Sequence, residues 1–368
     1  MKKVSMLLLC TLLFITGCVQ DSNDEEVLQN DDTKEETSIV PSYQLSDENY
    51  RMILPYKTSA ARGVIGNQIA NRVDIDEMEE GLRRLSKEVF DPEELYFQEG
   101  QYLTSDMIYT WIDELNPKVK EGADEETYQE NPRYLSHILE QNYMRHNEDQ
   151  SVGLAGISLG IAMKSVYRFQ TQVGGPYFYK DIPKDEMLSQ ANEIAHSILQ
   201  EIRQMEGLGD VPIMIGIYQE EEQASPVPGN FVAKANVPGG STSIDDWESV
   251  NEENILFPSD EGREKYYDDH EIVSSFGNEI AKFFPNYVGL MGEGFYIDEE
   301  LQKLTIEIPI EFYGKAEVLG FTQYAYGLVQ DMFPNYYDLE VNIKTSQQME
   351  SLIYRNAGDE SPTVHVYD

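Results

Sequence analysis

The sequence predicts an α+β fold in which helices pack on a largely antiparallel sheet. In several segments, apolar residues recur at three- and four-residue spacing, as they do on the buried face of a helix. Between these segments, apolar and polar residues alternate, as they do in strands with one buried face. The 368 residues include 40% hydrophobic and 11% aromatic side chains, a composition that can fill a core.

The chain begins with a predicted lipoprotein signal peptide at residues 1–17. Two lysines precede an apolar run from Val4 to Ile15, which is shorter than the roughly 20 residues of a membrane-spanning helix. The run ends in the lipobox pattern Ile15-Thr16-Gly17-Cys18. We therefore expect cleavage between Gly17 and Cys18 and attachment of diacylglycerol to the Cys18 sulfur. The alternative is an ordinary signal peptide with an incidental cysteine.

Residues 18–45 are predicted to form a lipidated cysteine followed by an acidic, disordered tether. Acidic residues are dense in this segment and apolar residues are scarce, so it lacks the material for a core. The lipid is expected to hold the protein at the extracytoplasmic face of the cell membrane.

Cys10 lies in the segment to be removed, which leaves Cys18 as the single cysteine. We therefore expect no disulfide and no cysteine nucleophile in the folded body.

Residues 46–150 are predicted to be a mainly helical N-terminal region. Apolar spacing and capping residues favour three helices, at Asp74–Val89, Thr104–Leu115 and Pro132–Tyr143. A polar run that includes His146 to Gln150 follows the last of them. We place the boundary with the next domain near residues 141–155.

Residues 151–368 are predicted to be an α+β C-terminal domain. Alternating patterns predict strands at Ile157–Met163, Val211–Ile217, Tyr287–Ile297, Leu304–Phe312 and Leu339–Ile343. Helical patterns predict helices at Pro183–Met205, Glu271–Phe284 and Glu317–Phe333. Two helix-to-strand junctions share four residues, Phe284-Pro285-Asn286-Tyr287 and Phe333-Pro334-Asn335-Tyr336. This match indicates either an internal duplication of strand–helix–strand units or convergent use of one turn.

The charge of the chain excludes two classes of partner. There are 67 acidic and 27 basic residues, for a net charge of −40, and loss of Lys2 and Lys3 with the leader makes it −42. Such a surface repels phosphate backbones and anionic headgroups. We expect no binding to nucleic acid and contact with the membrane through the N-terminal lipid alone.

The sequence contains one catalytic motif, Gly156-Ile157-Ser158-Leu159-Gly160, which matches the G-x-S-x-G elbow of serine hydrolases. Its context is a strand that continues past the serine, so a serine between two glycines that permit close packing is the favoured interpretation. The five histidines are scattered, and we expect neither a metal site nor a cofactor. A cell-envelope hydrolase using Ser158 or an unseen carboxylate pair remains the alternative to a non-enzymatic body.

The stretch from Ser225 to Ser243 is a candidate binding loop because it is rich in glycine and proline. A simple surface connection is the alternative. Trp247 is placed to anchor this stretch to the core. If the body binds a ligand, the loop should border a concave apolar pocket.

Short motifs spread over most of the chain after the tether match one known family: Asn49-Tyr50-Arg51, Leu54-Pro55-Tyr56-Lys57, Ala61-Arg62-Gly63, Tyr134-Leu135-Ser136, Ile138-Leu139-Glu140-Gln141, Leu256-Phe257-Pro258-Ser259, Tyr313-Gly314-Lys315-Ala316-Glu317, Thr322-Gln323-Tyr324 and Val364-His365-Val366-Tyr367. In these motifs the chain resembles the CamS family, membrane lipoproteins of Gram-positive bacteria described as precursors of sex pheromone cAM373.

The resemblance implies that a pheromone peptide is processed from the signal peptide. In this chain the corresponding segment is Leu12-Leu13-Phe14-Ile15-Thr16-Gly17. The family provides no established chemistry for the folded body. We therefore expect the body to be a binding or scaffold module for a peptide or another envelope ligand of unknown identity.

Overall fold

The computed structural model describes residues 25–31, 34–41, 44–45, 49–61, 64, 71–72, 74–147 and 151–367. Two sheets divide the described chain into an N-lobe (residues 50–250) and a C-lobe (residues 251–367). Within these residues, no helix combines the length and the apolar character that crossing a bilayer requires. The α+β class predicted from the sequence is confirmed.

The N-lobe is built on a seven-stranded sheet with the order β11-β10-β9-β6-β5-β4-β3. Four of its six strand pairs are antiparallel, and the β6–β9 and β3–β4 pairs are parallel. The strands are β3 (Arg51–Met52), β4 (Tyr96–Glu99), β5 (Leu135–His146), β6 (Val152–Met163), β9 (Ile213–Gln219), β10 (Asn230–Val237) and β11 (Glu248–Ser249). A separate hairpin of β7 (Val166–Phe169) and β8 (Phe178–Asp181) follows β6.

Helices cover both faces of this sheet. Helix α1 (Ile75–Ser86) packs on one face of the sheet, and α4 (Lys184–Ile202) packs on the other face, where α2 (Ser105–Glu114) and the short α3 (Glu125–Glu130) join the same core cluster. The apolar stripe of α4 is buried, as its spacing predicts, because it lies against β6 and β9. On the α1 side, Gly156 and Gly160 of β6 lie so close to Phe90 and Met78 that a Cβ atom would collide with either side chain.

The C-lobe has a six-stranded sheet with the order β12-β13-β14-β15-β16-β17. Its strands are β12 (Glu252–Phe257), β13 (Met291–Ile297), β14 (Glu300–Pro309), β15 (Asp338–Lys344), β16 (Met349–Arg355) and β17 (Thr363–Val366). The helices are α5 (Asp260–Lys265), α6 (Tyr267–Ala281) and α7 (Lys315–Met332). Helices α6 and α7 bury Phe276 and Phe321 against one face of the sheet, and this forms a core separate from that of the N-lobe.

Both lobes contain the same ββαββ unit. In the N-lobe, the β5–β6 hairpin leads through α4 to β9, which is parallel to β6 and pairs with β10. In the C-lobe, the β13–β14 hairpin leads through α7 to β15, which is parallel to β14 and pairs with β16. The junctions at Phe284 and Phe333 occupy different places in this scheme. The first connects antiparallel neighbours and the second connects parallel ones.

The prediction of a helix at Pro132–Tyr143 is wrong, because this segment forms most of strand β5. Leu135 and Ile138 are buried in one core cluster, and Leu139 and Tyr143 are buried in another on the opposite face. A strand buried on both faces loses the alternation of apolar and polar residues, and its apolar residues then imitate helical spacing. The boundary predicted near residues 141–155 falls inside the β5–β6 hairpin, so residues 46–150 do not form a separate helical region.

The predicted disordered tether also differs from the structure in part. Strands β1 (Glu25–Asp31) and β2 (Lys34–Val40) pair as an antiparallel hairpin. Its end docks on the N-lobe, since Ile39 exchanges backbone hydrogen bonds of 2.8 Å with Leu54 and Val40 is fully buried. The β-branched residues at the end of β2 favour extended structure and provide the apolar surface for this contact.

The chain passes between the lobes within two residues. Val250 belongs to the N-lobe, where it is buried and its N–H donates to the Val232 carbonyl at 3.1 Å. Asn251 belongs to the C-lobe, where its carbonyl accepts from Asp298 N–H at 3.0 Å and its side chain donates to the Asp298 carboxylate at 2.8 Å.

Candidate functional site

A cleft of about 400 Å³ lies at the junction of the two lobes. Its N-lobe wall is formed by the ends of β9 and β10, the start of α4 and the segment Ser225–Val227, and its C-lobe wall is formed by β12 and α5. Asn254 of β12 donates to Asn230 of β10 at 2.8 Å, which joins the two walls. The cleft therefore exists only because the lobes pack together.

Residues 221–228, which border the cleft, are held in place by Arg72. Its backbone N–H donates to the Glu221 carbonyl at 2.9 Å, and its guanidinium donates to the Ser225 carbonyl at 3.2 Å. Asp74 pairs with the same guanidinium at 2.6 Å and fixes its direction. Contacts with Arg72 and Asp74 in the N-terminal part of the lobe thus fix the position of this border of the cleft.

Four glutamates line the cleft, together with Lys184 and Lys265. Burial raises the pKa of Glu221, and the neighbouring Glu222 raises it further. Burial also raises the pKa of Glu252, although Arg84, at 3.1 Å, opposes this shift. The Arg84 guanidinium in turn lies 4.4 Å from the centre of the Phe295 ring, so it connects α1 to two strands of the C-lobe.

The pKa of Glu253 is shifted in the opposite direction, because two side chains donate hydrogen bonds to its carboxylate. Burial acts against its charge, but hydrogen bonds from Lys265, at 2.8 Å, and from the Tyr266 hydroxyl lower its pKa. The same contact and a second one to Glu261 raise the pKa of Lys265. The positive charge of Lys265 is therefore balanced by the carboxylates of Glu253 and Glu261.

A second groove continues the acidic surface on the far side of Pro228. It is lined by residues of the start of α1 and by Glu293 of β13. Burial raises the pKa of Glu77 and of Glu293, both of which face this groove. The junction of the lobes thus presents several carboxyl groups whose pKa is raised by burial.

Ser158 does not occupy a nucleophile elbow. It lies in the middle of β6 with no solvent exposure, and its hydroxyl is 2.7 Å from the Ser86 hydroxyl. A G-x-S-x-G elbow requires a sharp turn between a strand and a helix, which is absent at this position. The flanking glycines serve the close approach of Phe90 and Met78, as the structural interpretation of the motif predicts. The hydrolase hypothesis based on Ser158 is therefore wrong.

The predicted binding loop at Ser225–Ser243 is corrected in two respects. Residues Asn230–Val237 are strand β10, so only the two flanking segments are irregular. The first segment does border a concave site, but carboxylates and amides line that site where an apolar pocket was expected. Trp247 packs against the N-lobe core and donates to the Asn192 side chain at 2.9 Å, so its anchoring role is confirmed.

The histidines occupy separate structural positions. His196 lies in α4, where its Nδ1 is 2.9 Å from the Asn192 carbonyl and its Nε2 accepts from Ile244 N–H at 3.4 Å. Burial lowers the pKa of His137 to about 4. Among the described residues, no group of three histidine, cysteine or acidic side chains is arranged to hold a metal ion.

The predicted leader residues lie outside the described residues. These are the lipobox Ile15, Thr16, Gly17 and Cys18, the cleavage point between Gly17 and Cys18, and the pheromone segment Leu12, Leu13, Phe14, Ile15, Thr16 and Gly17.

The family described as CamS sex pheromone cAM373 precursor matches residues 56–361. The chain belongs to the CamS family. Among curated proteins, none matches this sequence. The CamS fold is shared with a sex pheromone precursor from Lactobacillus salivarius subsp. salivarius UCC118, with a TM-score of 0.82 and 28% identity over 89% of this chain and 98% of the other.

A second CamS relative is the C-terminal domain of the sex pheromone staph-cAM373 precursor from Staphylococcus aureus. It superposes with a TM-score of 0.69 and 28% identity over 80% of this chain and 96% of that domain. The junction cleft lies within the part of the chain that the CamS family match covers.

The sequence did not single out the cleft carboxyls. Glu221, Glu252 and Glu253 are three of 67 acidic residues, and no spacing sets them apart. The one usable signal was the stretch from Ser225, because a long irregular segment in a compact domain often borders a binding site.

Proposed function

We propose that this CamS-family chain is a lipid-anchored extracytoplasmic protein whose body binds a cationic ligand, such as a basic peptide, in the junction cleft. The observation that carries the proposal is a concave site lined by four carboxyl groups, those of Glu221, Glu252, Glu253 and Glu261. We infer that the body works by binding, without catalysis, and that it uses neither a metal nor a cofactor.

The electrostatics of the cleft favour a cation over an anion or a neutral ligand. An ammonium or guanidinium group near Glu221 would stabilise its ionised form, as Arg84 already does for Glu252. The amide groups of Gln219, Asn230 and Asn254 provide neutral donors and acceptors for a peptide backbone beside these charges.

Titration of the mature chain with tetralysine tests the cleft. Glu221→Gln combined with Glu261→Gln is expected to weaken binding at least about tenfold. The control, Glu206→Gln combined with Glu360→Gln, removes the same charge from exposed positions outside the cleft and should bind as the wild type does. Equal loss in both double variants would show only general attraction to an acidic body and would contradict the proposal.

A second variant separates shape from charge. Val227→Trp fills part of the cleft without a change of charge and is expected to weaken tetralysine binding as well. Binding should also weaken as the pH falls, because carboxyls with raised pKa become protonated and lose their attraction for the cation. Thermal denaturation of each variant confirms that it folds.

We propose Cys18 as the point of membrane attachment. The support is the lipobox Ile15-Thr16-Gly17-Cys18 and the absence of charge between Val4 and Gly17. Cys18→Ala is expected to release the protein from the membrane fraction or to leave it unprocessed. Cells in which the variant is cleaved and retained at the membrane as the wild type is would refute lipidation at this residue.

We further propose that processing of the leader releases a pheromone from the segment Leu12–Gly17. The support is that two similar structures are precursors of this kind by name. Synthetic peptides of this segment should induce plasmid transfer in recipient cells. A scrambled peptide of equal composition serves as the control, and equal responses to both would count against the proposal.

A further inference from the structure

The β7–β8 hairpin (residues 164–183, called the arm below) is an addition to the ββαββ unit. In the N-lobe it stands between β6 and α4. At the matching place in the C-lobe, between β14 and α7, residues 310–314 make the connection without any strand. The second copy of the unit thus folds without an arm, so the fold itself does not require one.

The inner face of the arm is fixed by stacked aromatic rings. Phe169 of β7 stacks with Phe178 of β8 at 5.6 Å between ring centres and with Tyr128 of α3 at 5.1 Å. Tyr167 stacks with Phe169 at 5.3 Å, and both are buried in the N-lobe core. These contacts make the arm a rigid platform.

The outer face of the arm exposes aromatic rings to solvent. Tyr177 and Tyr179 are 51% and 59% exposed, and Val173 at the tip is 94% exposed. Arg168 lies between the two tyrosines. Its guanidinium is 4.1 Å from the centre of the Tyr177 ring, and it is directly opposite Tyr179 in the strand register. Among the described residues, Arg168 makes no ion pair with a carboxylate.

The arm is also an exception to the charge of the molecule. Within residues 164–183, Asp181 is the single acidic residue, although the chain has 67 acids in 368 residues. The same stretch contains Lys164, Arg168 and Lys180. An anionic partner that the rest of the surface repels would therefore be tolerated at this face.

The arm and the start of the described chain are at opposite ends of the N-lobe sheet. Glu25 pairs with Val40, which packs against Val152 at the start of β6. The arm follows Met163 at the other end of β6, about 40 Å away for a strand of this length. A lipid at Cys18 would thus hold the molecule by the end away from the arm.

We propose that the outer face of the arm docks a glycan chain that carries carboxylate or phosphate groups. The C–H face of a sugar ring is apolar and packs flat on a tyrosine ring. The tyrosine hydroxyls can form hydrogen bonds with the hydroxyl groups at the edge of the sugar. Arg168 provides a planar, bidentate partner for a carboxylate or a phosphate. A lipid surface is disfavoured as the occupant because the arm lies far from the anchored end.

Sedimentation with purified peptidoglycan sacculi tests the proposal on the mature chain. The double variant Tyr177→Ala/Tyr179→Ala and the single variant Arg168→Met are each expected to reduce the bound fraction at least about fivefold. The matched controls are Tyr313→Ala, an 89% exposed tyrosine of the C-lobe, and Arg263→Met, a 54% exposed arginine side chain; both should sediment as the wild type does.

Two further sedimentation measurements identify the anionic group. Sacculi stripped of phosphate polymers should retain the protein if a carboxylate is recognised and lose it if a phosphate is recognised, and either result supports the proposal. Equal sedimentation of the wild type and the arm variants would overturn it. Arm-dependent binding to phosphatidylglycerol vesicles without binding to sacculi would also overturn it. Because Tyr177 and Tyr179 are exposed and Arg168 makes no ion pair within the described part of the chain, thermal denaturation should match that of the wild type.

Discussion

Single residues in this protein are constrained by how closely neighbouring elements approach. A Cβ atom at Gly156 would lie 2.0 Å from the Phe90 ring, whereas the space around Gly320 on α7 is open. Two glycines in one chain thus have opposite roles. The first is required for packing, and the second only weakens a helix.

Gly156→Ala should therefore lower the free energy of unfolding by about 1–3 kcal/mol, because Phe90 must move out of a close-packed position. Gly320→Ala should raise it by about 0.5–1 kcal/mol through the unfolded state and helix propensity. Urea denaturation measures both. A stabilising effect of Gly156→Ala would contradict the close approach of Phe90.

Glu220 gives the second prediction at this scale. Burial raises its pKa to about 7, although the Ser136 hydroxyl, at 2.5 Å, and Lys164 both favour its ionised form. The folded state thus prefers the protonated carboxyl, and stability is lost as the pH rises from about 4.5 to about 7. Relative to the wild type, Glu220→Gln should gain about 2–3 kcal/mol of stability between pH 5 and pH 8.

Denaturation midpoints over that pH range check this expectation. The variant keeps an oxygen that can accept from Ser136, so the comparison isolates the charge. A difference between the two proteins that does not change with pH would contradict a raised pKa at Glu220.

At the scale of elements, the predictable parts were those with a regular apolar period. The stripe of α4 was evident because its buried residues lie along one side of the helix. Strand β9 is buried on both faces, but isoleucine at every second position, at Ile213, Ile215 and Ile217, still marks it as a strand. Strand β5 was not predictable in this way, since Leu135 and Leu139 are buried in different clusters. The cleft was hidden for a related reason, because its walls come from elements that meet only after both lobes have formed.

Arg203, directly after α4, connects the segment before β9 with the segment after β10. Its guanidinium donates to the carbonyls of Leu208, Val211, Pro238 and Ser241 at 2.6–3.1 Å. A lysine cannot satisfy four carbonyls in these directions. Arg203→Lys should cost about 2–4 kcal/mol of unfolding free energy, because buried carbonyls lose charged donors.

The control for this change is Arg263→Lys. Arg263 pairs with Asp260 on the surface, and an exposed pair contributes only about 0–1 kcal/mol. Chemical denaturation should place the two variants well apart. Equal effects would mean that the four carbonyl contacts of Arg203 contribute little.

At the scale of the whole molecule, stability depends on how the lobes are coupled. Arg84 of α1 pairs with Glu252 of β12, whose side chain is only 2% exposed. Removal of the arginine leaves a buried carboxyl without its counter-charge. Glu252 already has a raised pKa, so it can escape this penalty at low pH by binding a proton.

Arg84→Met is therefore expected to cost about 3 kcal/mol at pH 8 and less at pH 5. Both tryptophans, Trp111 and Trp247, belong to the N-lobe, whereas far-UV circular dichroism reports on both lobes. The two signals should coincide for the wild type and separate for the variant at pH 8. Coincident curves for the variant would show that Arg84 does not couple the lobes.

The short passage between the lobes limits how the cleft can change shape. Val250 is hydrogen-bonded to one lobe and Asn251 to the other. The lobes can therefore rotate relative to each other only about the backbone bonds between these two residues. Any widening of the cleft is then a rotation about these bonds, which lie next to Glu252 in the wall of the cleft. The far rim would travel further than the hinge side, so a bulky occupant enters most easily from the rim.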